Sequence, residues 1–249
     1  MEPESKQDVP ELSGMRVHRH PEESRAMTSC THALRHDIAT PPKLMANLPI
    51  DKRGYCVPWF VDWINGEPEF RAMDMRKFMA AINERRCWTC GNRLYGEEVF
   101  VIGPMCAVNR ISSEPPNHRE CALYAAINCP FLSKPHMIRR EDGLEKKQPA
   151  AGVMIERNPG VTLLWFSRHH RLVDVKGRKG AGDGILFQLG RPFRVEWYTQ
   201  GRAATRTEIL ESFESGLPTL RRVAETMDGP EGVAVLEDQI VKAMRLIPR

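Results

Sequence analysis

The sequence predicts an α+β fold, a mainly antiparallel sheet followed by C-terminal helices, and three observations carry that prediction. Four apolar runs lie close together, at 161–166, 171–175, 185–189 and 193–197. In the last, Phe193, Val195 and Trp197 alternate with Arg194 and Glu196, the period-two pattern of a half-buried strand. Asp74 stands before Met75, Phe78, Met79 and Ile82, apolar residues at i, i+3, i+4 and i+7 behind a helix-capping residue. Near the C-terminus Thr205 and Glu208 are spaced as a capping box.

Composition narrows the class. With 249 residues, 41% of them hydrophobic, the chain can bury a real core. No run approaches the ~20 apolar residues that span a bilayer. Lys and Arg number 36 against 32 Asp and Glu, and a net charge of +4 neither demands nor excludes nucleic acid. Seven cysteines, an odd number, follow an acidic Met1-Glu2-Pro3-Glu4-Ser5 start with no apolar secretory region. The expectation is therefore a reducing cytoplasm and no disulfide scaffold.

In chain order, residues 1–45 hold four of the eight histidines, His18, His20, His32 and His36, few large apolar residues, and Pro41-Pro42 near their end. They read as a flexible tail whose histidines are solvated rather than metal-binding. Structure is expected from about Leu48. The segment 55–63 reads as a strand with Pro58 at an edge, stopped by the turn signal Asn65-Gly66, and a helix follows Asp74. The charged run 139–151 reads as a linker or solvated loop. In the C-terminal stretch, Gly216 is expected to end the first of three helices, with Pro218 and Pro230 in the first turns of the others.

The most specific signal is Cys87-Trp88-Thr89-Cys90-Gly91, with 27 residues between Cys90 and the following His118-Arg119-Glu120-Cys121. A tetrahedral zinc ion takes four thiolate or imidazole ligands, and a Cys-x-x-Cys-Gly knuckle turns two thiolates towards one point. His118 and Cys121, three apart, share a face in the first turn of a helix that Pro115-Pro116 would start and Asn117 would cap. Arg93-Leu94-Tyr95 and Val99-Phe100-Val101-Ile102 flank Gly96-Glu97-Glu98, which reads as a hairpin between the two ligand pairs. Cys106 is a substitute ligand for His118, whereas Cys129, about 12 Å further along the same helix, reads as a buried structural cysteine. Four protein ligands close the shell, so the site reads as one structural Zn2+ per chain. His118-Arg119-Glu120 spells the deaminase H-x-E, but there Pro-Cys-x-x-Cys follows, whereas here Cys-x-x-Cys precedes and carries Arg86 in place of Pro. An HNH-type nuclease needs a general-base histidine on the intervening hairpin, and 91–117 contains none.

Knuckle, hairpin and ligand-bearing helix resemble treble-clef zinc fingers over 86–130. Three further stretches resemble uncharacterised bacterial and phage-encoded proteins. They are Val57-Pro58-Trp59-Phe60-Val61; the cysteine knuckle with Phe100-Val101-Ile102-Gly103-Pro104-Met105-Cys106 and His118-x-x-Cys121 through Cys129-Pro130-Phe131-Leu132; and Glu196-Trp197-Tyr198 with Gly201-Arg202-Ala203. That resemblance implies a bacterial, possibly phage-encoded source and no mechanism.

Two basic segments are candidate anion sites. Residues 167–194 hold seven Lys and Arg against two Asp and Glu, and within them Lys176-Gly177-Arg178-Lys179-Gly180 either forms a plain hairpin loop or contacts phosphate. It is no P-loop, because Gly-Lys-[Ser/Thr] is missing and a strand follows. Arg202 and Arg206 stand at a helix N-terminus, where they either bind phosphate or carboxylate or pair with Glu196 and Glu208. The organisation expected is a tail at 1–45, a zinc-binding region at 46–138, a linker at 139–151, and a β-rich segment with C-terminal helices at 152–249. The leading function is a non-enzymatic cytoplasmic zinc protein binding nucleic acid, with a protein partner close behind. The rivals are an enzyme with a site around Arg202, Arg206, His169, His170 and Glu196, and a phage accessory protein that inhibits a host factor.

Overall fold

The computed structural model describes residues 32–134, 160–176 and 183–249. The 139–151 linker, Arg178 and Lys179, and His18 and His20 lie outside the described residues.

Strands β1 (Val61–Ile64) and β2 (Glu67–Met73) form a hairpin whose turn is Asn65-Gly66, with Gly66 at φ 80°. The strand expected over 55–63 is thus confined to its end, and Cys56 contributes only an isolated bridge to Ile50. Helix α1 (Met75–Asn83) opens as expected, the Asp74 carboxylate accepting from Arg76 N–H. Its inward face is Phe78 and Ala81, with Met79 and Ile82 partly buried, whereas Met75 is exposed because it sits in the first turn, ahead of the contact with the core.

The elements β3 (Glu98–Ile102), α2 (Pro104–Asn109), β4 (Ile111–Ser112), α3 (Arg119–Asn128) and α4 (Pro130–Ser133) follow. After them come β5 (Thr162–Ser167), β6 (His170–Val175), β7 (Gly184–Leu189), β8 (Arg194–Thr199) and β9 (Arg202–Ala203). Two further antiparallel sheets result, in the orders β3-β5-β8-β9 and β4-β7-β6. The architecture is α+β with antiparallel sheets and a C-terminal helix.

Strand β5 explains why its sequence is an unbroken apolar run. It lies between β3 and β8 and is buried on both faces. Leu163 and Trp165 join Phe100, Phe187 and Phe213 in the main core, while Leu164 and Phe166 pack with Val99, Ala122 and Ala126 beneath α3. Alternation therefore survives as a choice between two cores. The expected 93–102 hairpin does not form: β3 pairs with β5 in the register Phe100↔Trp165, and residue 93 bridges to Arg86 instead.

The C-terminal helices are also rearranged. Helix α5 (Arg206–Met244) runs through Gly216 and Pro218 and breaks once, at Gly229 (φ 69°, ψ −159°). A continuous helix would hold residues 221 and 237 about 24 Å apart at 1.5 Å per residue. Here Arg221 Nε lies 2.6 Å from Glu237 Oε1, and Arg206 donates to the carbonyl of Pro248, so two arms fold back as a hairpin around Gly229-Pro230. Gly216 is a packing position: a Cβ there would stand 2.8 Å from Met105 Sδ of α2.

Order also begins earlier than Leu48. His32 N–H bonds to the Ile50 carbonyl, Arg35 N–H to that of Gly54, and the 3-10 turn Lys43–Met45 buries Met45. No helix among the described residues is long and apolar enough to cross a membrane.

Candidate metal centre

The knuckle is closed by backbone bonds before any metal is considered. Arg86 and Arg93 form an antiparallel bridge, Cys87 N–H bonds to Asn92 O at 2.8 Å, and Gly91 N–H to Cys87 O at 2.8 Å. The turn needs Gly91 twice over. Its φ is +74°, and a Cβ would stand 2.5 Å from Trp59 Cγ. Gly91→Ala is expected to destabilise by about 2–4 kcal/mol in urea titration, combining left-handed strain with a ring clash. Gly96→Ala, at φ +68° with no atom within 4 Å of its Cβ, should show the strain alone.

The second ligand pair is placed by β3. Asn117 and Val99 exchange backbone bonds of 2.8 and 3.1 Å, which pins the chain just before α3 against the sheet. His118 is the extended N-cap residue and Cys121 lies in the first turn. Asn117 is not the cap expected from sequence: its side-chain oxygen accepts from Thr89 N–H at 3.0 Å and Thr89 Oγ1 at 2.7 Å. That buried amide joins the knuckle to the helix start. Trp88 N–H adds a bond to Pro116 O.

The ligand atoms of Cys87, Cys90, His118 and Cys121 all lie within 4.8 Å of one another, and all four residues are buried. Tetrahedral ligands at zinc–sulfur distances stand about 3.8 Å apart. The cluster could therefore hold a metal ion with small closing movements. Its surroundings fit that use. His118 Nε2–H donates to Arg93 O at 3.1 Å, which leaves Nδ1, 3.4 Å from Cys90 Sγ, as the ligating nitrogen. His118 N–H points at Cys87 Sγ (3.4 Å) and Asn92 Nδ2 at Cys90 Sγ (3.5 Å). Asn92 also donates to Leu44 O, so part of the expected tail closes one side of the site. Tyr95 covers His118, ring centroids 4.5 Å apart, and its hydroxyl donates to Glu120.

Proton affinities in the cluster reflect competition for a few protons. Hydrogen bonds from Cys121 and then Cys87 hold the Cys90 sulfur as thiolate, against burial. Cys121 is pushed up because it supplies bonds to Cys87 and Cys90. Burial works against the His118 imidazolium, but bonds to Cys87 and Cys90 outweigh it and raise the group to about 10. A metal ion would displace those protons and take the thiolates and the imidazole as ligands.

Cys106, the substitute ligand, is not part of this group; it sits on α2, where burial raises its thiol. Cys129 is the C-terminal cap residue of α3, also raised by burial. Cys56, which the sequence reading passed over, packs with Met45, Cys87, Cys90 and Cys121 and is pushed up to about 11 by burial. It lacks a paired cysteine at knuckle spacing, so no sequence signal marked it.

The other candidates do not gather. Arg202 pairs with Glu208 at 2.6 Å, and that bond, with the Thr205 cap, takes Glu208 down to about 2. The helix N-terminus is thus occupied by its own carboxylate. Arg206 bonds the Pro248 carbonyl. Glu196 contacts Arg194 and Tyr198, His169 N–H bonds to Ser167 Oγ, and Lys176 lies exposed just after β6. His170 instead meets a residue that sequence reasoning missed: its Nδ1 lies 2.8 Å from Glu98 Oε2, across a separation of 72 positions.

Compared with protein-family models, curated proteins and solved structures, the chain matches none.

Proposed function

We propose that Cys87, Cys90, His118 and Cys121 hold one structural zinc ion, and that the protein is a non-enzymatic binding protein with nucleic acid as its partner. The observation that carries the zinc reading is the burial of three sulfurs and one imidazole within 4.8 Å of one another. Three soft ligands and one borderline ligand suit zinc, and four protein ligands leave no position for a catalytic water. A knuckle facing a ligand-bearing helix N-terminus supports a treble-clef-like module, with β3, α2 and β4 where the hairpin was expected. The ion would fasten the knuckle to α3, and α3 in turn covers the β3-β5 face. Nucleic-acid contact rests on the basic segment 167–194, whose Arg171 and Lys176 are exposed at the edge strand β6.

Metal content and binding test the two parts separately. One zinc per chain is expected, falling to background in Cys90→Ser. Binding to single- and double-stranded DNA and RNA should weaken with salt. Arg178→Ala with Lys179→Ala should lower the slope of log K against log salt by about 1–2. Zinc without nucleic-acid binding would overturn the partner assignment and leave the metal centre standing.

A further inference from the structure

We propose that Arg85, Glu98 and His170 form a binding site for a small organic anion with a compact apolar body, of the class of an aromatic carboxylate. The three converge on a cavity of about 130 Å3 whose remaining walls are Ala81, Ile82, Leu94, Pro116 and Phe187. The site is distinct from the metal cluster and independent of the nucleic-acid reading.

Glu98 is the anchor. It begins the core strand β3 and is only 5% exposed, a position where burying a carboxylate is unfavourable unless it is paired. Its Oε2 takes His170 Nδ1 at 2.8 Å and its Oε1 takes Arg85 Nη2 at 3.2 Å. The imidazole is held between Phe100 and Phe187, centroids 5.6 and 5.3 Å away. With Nδ1 committed to Glu98, Nε2 is the ring nitrogen left for a ligand.

Arg85 supplies the charge. It follows α1 with a left-handed φ of 52°, where glycine is the residue of least strain. Its side chain is what a glycine there would lack. That side chain is 66% exposed, stands at the mouth, and spends one long bond on Glu98, which leaves donors for an incoming anion. A wider basin that shares Arg85 is lined by Asn83, Glu84, Arg85, Arg86 and Arg93, three arginines against the one carboxylate of Glu84, with which Arg86 pairs at 2.6 Å. An anion is therefore drawn towards Arg85 while apolar walls receive the body behind it. A cavity of about this size accepts a benzene-sized group.

Benzoate is the probe. The imidazole nitrogens of His170, assigned by comparison with His170→Gln, are followed by NMR in the full metal-loaded chain. Saturable shifts are expected with benzoate, with affinity at least about tenfold weaker for acetate, which lacks the body, and for benzyl alcohol, which lacks the charge. Arg85→Gly should lower benzoate affinity about tenfold or more without a loss of folded structure, since glycine suits the backbone there. Arg85→Lys should recover part of it, and Arg222→Ala, on the exposed helix surface, should change nothing. No saturable shift with benzoate, equal binding of acetate, or an unchanged affinity in a folded Arg85→Gly protein would each overturn the proposal.

Discussion

Cys121→Ala is expected to abolish metal binding and to destabilise the protein by about 5 kcal/mol or more, whereas Cys106→Ala should keep the metal. Structural zinc contributes about 10–16 kcal/mol of apparent binding energy in small zinc domains, and here part of that holds the knuckle against α3. The main core around Trp165 and Phe213 contains none of the four ligands, although Trp88 of the knuckle packs into it, so loss should be large without complete unfolding. Differential scanning calorimetry and metal analysis of the two variants would measure it; metal retained in Cys121→Ala would sink the ligand assignment. The pH dependence of metal affinity and that of the His118 contribution without metal have opposite signs. Metal competes with protons for the thiolates, so affinity should fall about tenfold per pH unit for each proton displaced as pH drops. In the metal-free protein the His118 imidazolium is favoured by folding, its affinity raised to about 10. That contribution is fully present below its ordinary value near 6.5 and is lost as pH rises through about 10. Acidification should therefore cost the loaded form its metal, while the His118 contribution to the metal-free form is retained.

The parts of this molecule that were legible in the sequence are those whose chemistry is local. The Cys87-x-x-Cys90 and His118-x-x-Cys121 pairs carry their geometry in their spacing, and all four residues meet. The strands at 162–199 and the Thr205–Glu208 capping box were readable for the same reason. What was hidden depends on distant partners. The apolar run at 99–102 looked like half of a hairpin because nothing local reveals that Phe100 pairs with Trp165. Gly216 and Pro218 looked like helix breaks, yet Gly216 is there to admit Met105 and the true break is Gly229. Leu44 and Met45 looked like tail because their burial depends on Asn92 and the cysteine cluster. His170 was a candidate in the sequence, but Glu98 was not, and the two become a pair only when β3 and β6 are brought together.

Trp165→Ala should be the most damaging change away from the metal, at about 4–7 kcal/mol. Removing a buried tryptophan costs about 3–5 kcal/mol in lost contacts and cavity. The Gly190 carbonyl, which accepts the indole N–H at 3.1 Å, then loses its partner at about a further 1–2 kcal/mol. Trp165→Phe keeps much of the volume and loses the bond, so urea titration should place it well above the alanine variant in stability. The position is sensitive because β5 joins both halves of the chain. Trp165 stands opposite Phe100 of β3, next to the segment that carries His118, and opposite Val195 of β8, which leads to the helical hairpin. If that strand transmits unfolding, a zinc-responsive dye added during the titration should report metal release at the same urea concentration as the loss of sheet structure, in wild type and in both variants. Release at a separate, higher concentration would mean that the knuckle and α3 form a unit that outlives the sheet, and the coupling through β5 would be wrong.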